Sequence, residues 1–227
     1  MRFDIITVFP EAIELYLNTS ILKRACERKL ISVRLHGLRK WGLGKHHHLD
    51  DRPYGGGAGM VLAAEPILRA VKSLKLKVKN HGAKIIILSA RGQQFNQKIA
   101  SDWAGRYDRL ILISGRYEGI DERVKRILKA EEVSIGPYVL TDGDAAAMVI
   151  VSAIARLIPG VIRLESLQEE SHWNLLLKGE ARGRGLEYPH YTRPEVLRWK
   201  KRGYQVPKVL LSGNHKKIAE WRAKHAG

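Results

Sequence analysis

The stretch RLILISGRYEGIDERVKRILKAEEVSIGPYVLTDGD, residues 109–144, decides the fold. Its apolar run at 110–113 leads into Gly115, and a second run at 133–135 leads into Gly136. Short apolar runs that stop at a glycine are typical of strands buried on both faces of a parallel sheet. Ligands of such sheets bind beyond the carboxyl ends of the strands, so the glycine, tyrosine and carboxylate residues that follow predict a pocket there.

Strand and helix patterns alternate on both sides of this stretch. Strands are predicted at residues 3–9, 31–35 and 84–88, and helices at 21–29, 65–74, 94–103 and 145–157. Such alternation favours an α/β fold, in which helices cover both faces of a mostly parallel sheet.

Composition limits the functional class. The chain has 227 residues, 44% of them hydrophobic, and no apolar run approaches the roughly 18 residues of a membrane span. No secretory leader is recognisable at the amino terminus, and the single Cys26 fits a reducing compartment. We therefore expect a soluble, cytoplasmic protein without a membrane partner.

The net charge predicts a polyanionic partner. Lysine and arginine number 40 against 23 aspartate and glutamate residues, which gives a formal charge of +17. A surplus of this size produces a positive potential that attracts nucleic acid phosphates. The plainer alternative is a basic, solvated surface without a specific partner.

Residues 37–60, GLRKWGLGKHHHLDDRPYGGGAGM, lack any period. The histidines at 46–48 are weak metal candidates, because adjacent side chains diverge and no cysteine or carboxylate completes a usual ligand spacing, so no metal site is predicted. The glycines at 55–59 lack the features of a phosphate-binding or dinucleotide-binding loop. They predict a close approach of the backbone to a ligand or partner, with a plain flexible loop as the alternative.

Several motifs, in order along almost the whole chain, resemble those of the TrmD family, the bacterial tRNA (guanine-N1)-methyltransferases of the SPOUT superfamily. They are DDRPYGGGAGM at 50–60, GRYEGIDER at 115–123, SIGPYVLTDGD at 134–144, IPGV at 158–161, YPHYTRPEV at 188–196 and VPKVLLSGNH at 206–215.

The resemblance implies a domain plan and an activity. Residues 1–161 would form a knotted SPOUT domain with a deep trefoil knot near its carboxyl-terminal end, residues 162–187 a flexible linker, and residues 188–227 a small helical tRNA-binding domain. Helical patterns at 193–201 and 216–224 are rich in basic residues and tryptophan. A homodimer would use S-adenosyl-L-methionine to methylate N1 of the guanine at position 37 in the anticodon arm, when guanine precedes it.

Methyl transfer to guanine N1 needs a base for the N1 proton and a donor for the charge that grows on O6. Arg156 matches the family's catalytic arginine and suits the second role. The family usually carries aspartate before serine in the linker, where this chain has no aspartate; Glu170 takes that position, with Glu169 as the rival. Glu118 is expected to touch the methionine ammonium of the donor or the target guanine.

The resemblance also assigns a set of residues to the methyl donor. They are Leu88, Ser89, Ala90, Gly115, Tyr117, Glu118, Gly119, Ser134, Ile135, Gly136, Pro137, Tyr138, Val139, Leu140 and Gly143. Two positions depart from the family pattern, since Ala90 stands where proline is common and Asp142 replaces the first of two glycines. A magnesium requirement is implied as well, for which the sequence offers no recognisable ligand set.

Two other functions remain open at this stage. The chain could be another SPOUT RNA methyltransferase, although GRYEGIDER and YPHYTRPEV are specific to the guanine-N1 family. It could also be a non-catalytic, basic RNA-binding module, which would need neither Arg156 nor a linker carboxylate.

Overall fold

The chain divides into two compact units, Met1–Ile162 and Arg163–Gly227. The computed structural model describes residues 1–74, 82–163, 166–167 and 187–226. Glu169 and Glu170 lie outside the described residues, as does most of the predicted linker. The base assignment and the predicted domain functions therefore stay predictions.

Strands and helices alternate along the first unit. They are β1 Arg2–Thr7, α1 Glu11–Leu17, α2 Ser20–Glu27, β2 Ser32–Gly37, a 3-10 helix Leu38–Trp41, β3 Asp50–Asp51, β4 Val61–Leu62, α3 Ala64–Ser73, β5 Ala83–Gln94, α4 Gln97–Arg106, β6 Arg109–Ser114, α5 Glu122–Leu128, β7 Glu131–Ser134 and α6 Asp144–Ala155. Five strands form one parallel sheet in the order β2-β1-β6-β5-β7, and β3 pairs with β4 separately. The predicted α/β class with a parallel sheet is confirmed.

The central strand β6 shows why helices cover both faces of this sheet. Its residues 110–113 are fully buried, and successive side chains point to opposite faces. Leu110 and Leu112 belong to one hydrophobic cluster, which includes residues of α1, α2, α4 and α6. Ile111 and Ile113 belong to a second cluster, which includes residues of α3 and α5. Because both faces of β6 pack against helices, all four residues at 110–113 must be apolar.

A buried carboxylate links three neighbouring strands. Asp4 on β1 has no exposed surface and accepts hydrogen bonds from Arg2 at 2.7 Å and from Arg109 on β6 at 2.6 Å. A third hydrogen bond, of 2.7 Å, joins it to the His36 ring on β2. Burial alone raises the pKa of Asp4, but the hydrogen bonds from His36, Arg2 and Arg109 outweigh burial and hold this pKa well below its ordinary range.

Residues 187–226 of the second unit form a β-hairpin followed by two helices. Strand β8 Val196–Trp199 pairs antiparallel with β9 Arg202–Gln205, and α7 Lys208–Leu211 and α8 His215–His225 follow. The helix predicted at 216–224 is confirmed as α8. The helix predicted at 193–201 is wrong, because residues 196–205 form the hairpin, so the small domain that was predicted to be helical also contains strands. Valine and tryptophan favour strands, and Lys200 takes the left-handed conformation at the turn.

Within the described ranges, no helix is both long and apolar enough to cross a membrane.

Replacing Asp4 by asparagine tests the buried network. A carboxyl whose pKa is lowered by folding contributes stability above its ordinary pKa, near 4, and that stability is lost as pH falls through the lower, folded-state pKa. We expect Asp4→Asn to lower the free energy of unfolding at pH 7 by about 3 kcal/mol, since it leaves the partly buried Arg2 and Arg109 without their partner charge. The difference from the parent should shrink steadily below about pH 4.

Urea unfolding at a series of pH values measures this difference. Asp102→Asn is the matched control, because Asp102 forms an exposed ion pair with Arg106 within α4, at 3.0 Å. The control should change the unfolding free energy by at most about 1 kcal/mol. If Asp4→Asn lowers the free energy of unfolding by the same amount at pH 7 and pH 3, the lowered pKa of Asp4 is contradicted.

Candidate active site

A cavity of about 430 Å³ lies at the carboxyl ends of three adjacent strands, β5, β6 and β7. Its volume falls in the range of sites for small organic ligands. Each strand leaves the sheet through a segment with glycine or a bulge, and these segments form the walls. The pocket predicted from the ends of the apolar runs is present.

An irregularity in β5 builds the first wall. Both Leu88 and Gln93 pair with Val133 of β7, so residues 89–92 bulge out of the ladder between them. Ser89, with the two residues after it, lines the cavity. A Cβ atom at Gly92 would lie 2.3 Å from the Val133 backbone nitrogen, so only glycine allows the bulged chain to lie this close to β7.

The loop after β6 builds the second wall and presents Glu118. Its backbone N–H donates to the Met60 carbonyl at 3.0 Å, and the Leu62 N–H donates to the Gly119 carbonyl at 3.0 Å. A Cβ atom at Gly59 would lie 2.6 Å from Glu118 Oε1. At Gly59 the glycine segment therefore packs against the Glu118 carboxylate of its own chain.

Other glycines of that segment face open space. Gly55 and Gly56 have φ values of +86° and +82°, and a Cβ atom at either would meet nothing within 4 Å. These φ values are in the region that favours glycine. Their predicted contact with a ligand or partner stays a prediction.

The segment after β7 builds the third wall. Ser134 Oγ donates to the Gly136 carbonyl at 2.8 Å, and the Tyr138 ring lies so close to Gly136 that a Cβ atom there would be 2.3 Å from Tyr138 Cε1. At the end of the segment, the Gly143 N–H donates to the Gly115 carbonyl at 2.9 Å. The third wall is thereby fixed to the end of β6.

The structure brings nearly all of the predicted donor-binding residues to this one cavity. Only Gly136 and Pro137 are not part of its lining. Residues that sequence reasoning did not assign to the site also line it: Val61, Ile87, Arg91, Arg116, Ile120, Asp121, Glu122, Lys125, Glu132, Val133, Thr141, Asp142 and Ala146.

Among these additional residues, a charged group stands out. Lys125 Nζ lies 2.6 Å from Glu132 Oε2, and Arg91 lies 3.3 Å from Glu132 and 3.7 Å from Glu122. Burial raises the pKa of Glu132, but Lys125 and Arg91 lower it by more, so its pKa stays below the ordinary value and the carboxylate stays ionised at neutral pH. In the sequence, this charged group is indicated only by the spacing of Glu122 and Lys125, which are three residues apart and so lie on the same side of a helix.

Arg156 lies away from the cavity of its own chain. It follows α6, which borders the cavity only at its first turn, through Gly143 and Ala146. The helix has 12 residues, so at 1.5 Å per residue its two ends are roughly 18 Å apart. Arg156 is therefore not among the residues that line the cavity of its own chain, whereas Glu118 is.

Within the described ranges, no group of three or more histidine, cysteine, aspartate or glutamate side chains could hold a metal ion. The histidines at 46–48 are exposed.

The structure defines an α/β protein with a cavity of small-ligand size at the carboxyl edge of its parallel sheet, and the net charge of +17 favours a polyanionic partner. The comparisons with known proteins are more specific. The family model described as tRNA (Guanine-1)-methyltransferase TrmD matches residues 1–227.

Curated relatives agree with this match, and those compared are each named tRNA (guanine-N(1)-)-methyltransferase. The protein of Thermomicrobium roseum is 51% identical, over 98% of this chain and 77% of its own length. The protein of Dehalococcoides mccartyi is 46% identical, over 100% of this chain and 86% of its own length. The protein of Geobacter sp. is 47% identical, over 99% of this chain and 84% of its own length. The chain belongs to the tRNA (guanine-N1)-methyltransferase family, and the predicted family and enzyme class are confirmed.

Proposed function

We propose that this chain, acting in the cytoplasm as a homodimer, methylates N1 of the guanine at position 37 of tRNA when guanine precedes it, with S-adenosyl-L-methionine as the methyl donor. The observation that carries the proposal is the cavity at the ends of β5, β6 and β7, with the Glu118 carboxylate in its wall beneath Gly59. Family membership supports methyl transfer to tRNA.

The cavity walls fit the methyl donor chemically. Leu88, Ile135 and Leu140 offer apolar surface for an adenine ring, while the bare backbone at Gly115 offers polar groups without an intervening side chain. The Glu118 carboxylate suits a methionine ammonium group. When bound, the donor supplies a methyl group activated by an adjacent sulfonium.

The remaining chemistry falls to a carboxylate and an arginine. A carboxylate must accept the N1 proton, because the lone pair of that nitrogen is otherwise tied up in the amide system of the base. Glu170 is assigned to this step by its place in the linker motif, with Glu169 as the rival. A guanidinium near O6 would stabilise the negative charge that grows there.

The position of Arg156 supports the homodimer. Since Arg156 follows the end of α6 that is roughly 14 Å along the helix from Ala146 in the cavity wall, it would reach the reacting guanine only as Arg156 of the partner subunit. An isologous two-fold interface would build two equal sites in this way.

A trefoil knot after β7 is also proposed. Its support is the close passage of Gly143 over the end of β6, where a Cβ atom would lie 2.9 Å from the Gly115 nitrogen and 3.0 Å from Ser114 Cα. Such a passage brings the chain between β7 and α6 past β5 to the end of β6, as a threaded chain requires.

The second unit is proposed to hold the anticodon arm. Its hairpin exposes Trp199 and Tyr204, with 64% and 54% of their surface accessible, and α8 adds the basic residues Lys216, Lys217 and Lys224. Aromatic faces stack on unpaired bases, and basic side chains neutralise phosphates.

The described residues contain no group of ligands that would hold the magnesium ion implied by the family resemblance, so the proposal gives magnesium no role.

Changing Glu170 to glutamine tests the assignment of the base. We expect the variant to bind the donor and tRNA as the parent does, and to transfer methyl at least about a hundredfold more slowly, because its amide cannot accept the N1 proton. Transfer of a labelled methyl group to an unmodified tRNA with guanines at positions 36 and 37, followed by digestion and identification of the methylated base, measures this rate.

Glu27→Gln is the control for this experiment, since Glu27 is exposed and pairs with the exposed Lys23 at 3.9 Å. A Glu170→Gln variant as fast as the parent would transfer the role to Glu169 or to water. A parent that binds tRNA without methylating it would favour a non-catalytic RNA-binding module, and methylation at another atom would favour another SPOUT methyltransferase.

Mixed dimers test the shared site. Two variants, Arg156→Ala and Glu118→Gln, are each expected to be inactive as a homodimer; they are expressed together, and the heterodimer is purified through two different affinity tags. If each cavity uses Arg156 of the partner subunit, one of the two sites is intact, and the heterodimer should recover about half of the parent's activity per dimer. If both residues serve the same cavity from one chain, neither site is intact and the heterodimer stays inactive.

A further inference from the structure

The third wall of the cavity is an exposed segment with few attachments. Between Ile135 and Thr141, Val139 is 86% accessible and Tyr138 is 53% accessible. The hydrogen bond from the Tyr138 hydroxyl to the Ile135 carbonyl, at 3.3 Å, is local. The segment must therefore be held in place mainly at its ends if it is to form a defined wall.

Asp142 provides such an attachment at the far end of the segment. Its Oδ2 accepts a hydrogen bond from Arg116 Nη2 at 3.0 Å, and its Oδ1 accepts one from the Asp144 N–H at 2.9 Å. The Thr141 hydroxyl donates to the same Oδ2 at 3.3 Å. Only 17% of the Asp142 side chain is accessible. One carboxylate thus joins the segment to the loop after β6 and caps the first turn of α6.

Arg116 is itself held from the other side. Its guanidinium lies 4.5 Å from the centre of the Phe9 ring, just beyond β1, and the Arg39 guanidinium lies 5.7 Å from the same ring. The Phe9 N–H donates to Thr7 Oγ1 at 3.1 Å, which fixes the residue to the end of the strand. A guanidinium between an aromatic ring and a carboxylate has little freedom to move.

We propose that Asp142 is a positioning residue, which holds the segment from Ile135 to Thr141 in its donor-binding shape through Arg116 and Phe9. The proposal rests on the proposed function of the cavity. A glycine at position 142 could neither pair with Arg116 nor cap α6. A wall that is ordered before binding lowers the conformational entropy lost when the donor binds.

Loss of the ion pair should therefore weaken donor binding more than it slows chemistry. Asp142→Asn removes the charge but keeps an oxygen for the Asp144 N–H, whereas Asp142→Gly removes both interactions. We expect the Kd for S-adenosyl-L-methionine to rise about fivefold in the first variant and more in the second. In both, kcat at saturating donor should change less than twofold, and the KM for tRNA should stay at the parent value.

A double-mutant cycle separates this role from general destabilisation. If Asp142 acts through Arg116, the Asp142→Asn, Arg116→Gln double variant should bind the donor about as weakly as the weaker single variant. Asp102→Asn, which removes the exposed partner of Arg106 in α4, is the control and should leave the Kd unchanged. Additive losses, or an unchanged Kd in Asp142→Asn, would overturn the proposal.

Hydrogen exchange without any ligand tests the anchor independently of the proposed function. In Asp142→Asn, backbone amides at 138–143 should exchange faster than in the parent, while those of β6 should stay equally protected. If the amides at 138–143 exchange at the same rate in Asp142→Asn as in the parent, the proposed anchor is wrong. If the segment loosens but the parent does not bind the donor, the anchor stands and the proposed function fails.

Discussion

The fixed crossing of Gly143 over the end of β6 is the constraint on which the candidate site depends. A hydrogen bond of 2.9 Å joins the Gly143 N–H to the Gly115 carbonyl, and the space at Gly143 excludes a side chain. Because of this crossing, the chain that leaves β7 closes a cavity over three strand ends before it enters α6. The carboxylate of Asp142 lies one residue away and is well placed to stabilise the same crossing.

The sheet supplies a rigid base for that crossing. Its central strands are buried on both faces, and the Asp4 network ties β1 to β2 and β6 by charged hydrogen bonds. Interiors packed in this way deform little, so the strand ends keep their relative positions. The site is thus built from glycine-containing loops on a stiff support, which keeps the three walls in fixed relative positions for a ligand.

Sequence patterns predicted the parts of this structure that depend on local order. Buried strands such as 110–113 are continuous apolar runs, and the glycines that follow them are visible in the sequence. The bulge at residues 89–92 was not predicted, because the requirement for Gly92 comes from the backbone of β7, a distant part of the chain. The hairpin of β8 and β9 was mistaken for a helix because its short strands have no core to impose an alternating pattern.

The charged residues of the site show the same limit. Motifs identified Glu118. The place of Glu132 in the cavity wall depends on the pairing of β7 with β5 and on the ion pair of Glu132 with Lys125, neither of which the sequence reveals. The separation of Arg156 from the cavity likewise depends on the direction of α6. Residue identities predicted which groups are chemically capable, and only the tertiary structure shows which of them meet.

The most direct test of the central claim is hydrogen exchange of the parent protein with and without S-adenosyl-L-methionine. The account predicts slower exchange on binding at residues 88–92, 115–120 and 134–143, the three walls of the cavity, and no change in α8. Protection confined to another part of the chain, or no protection at saturating donor, would contradict the assignment of this cavity.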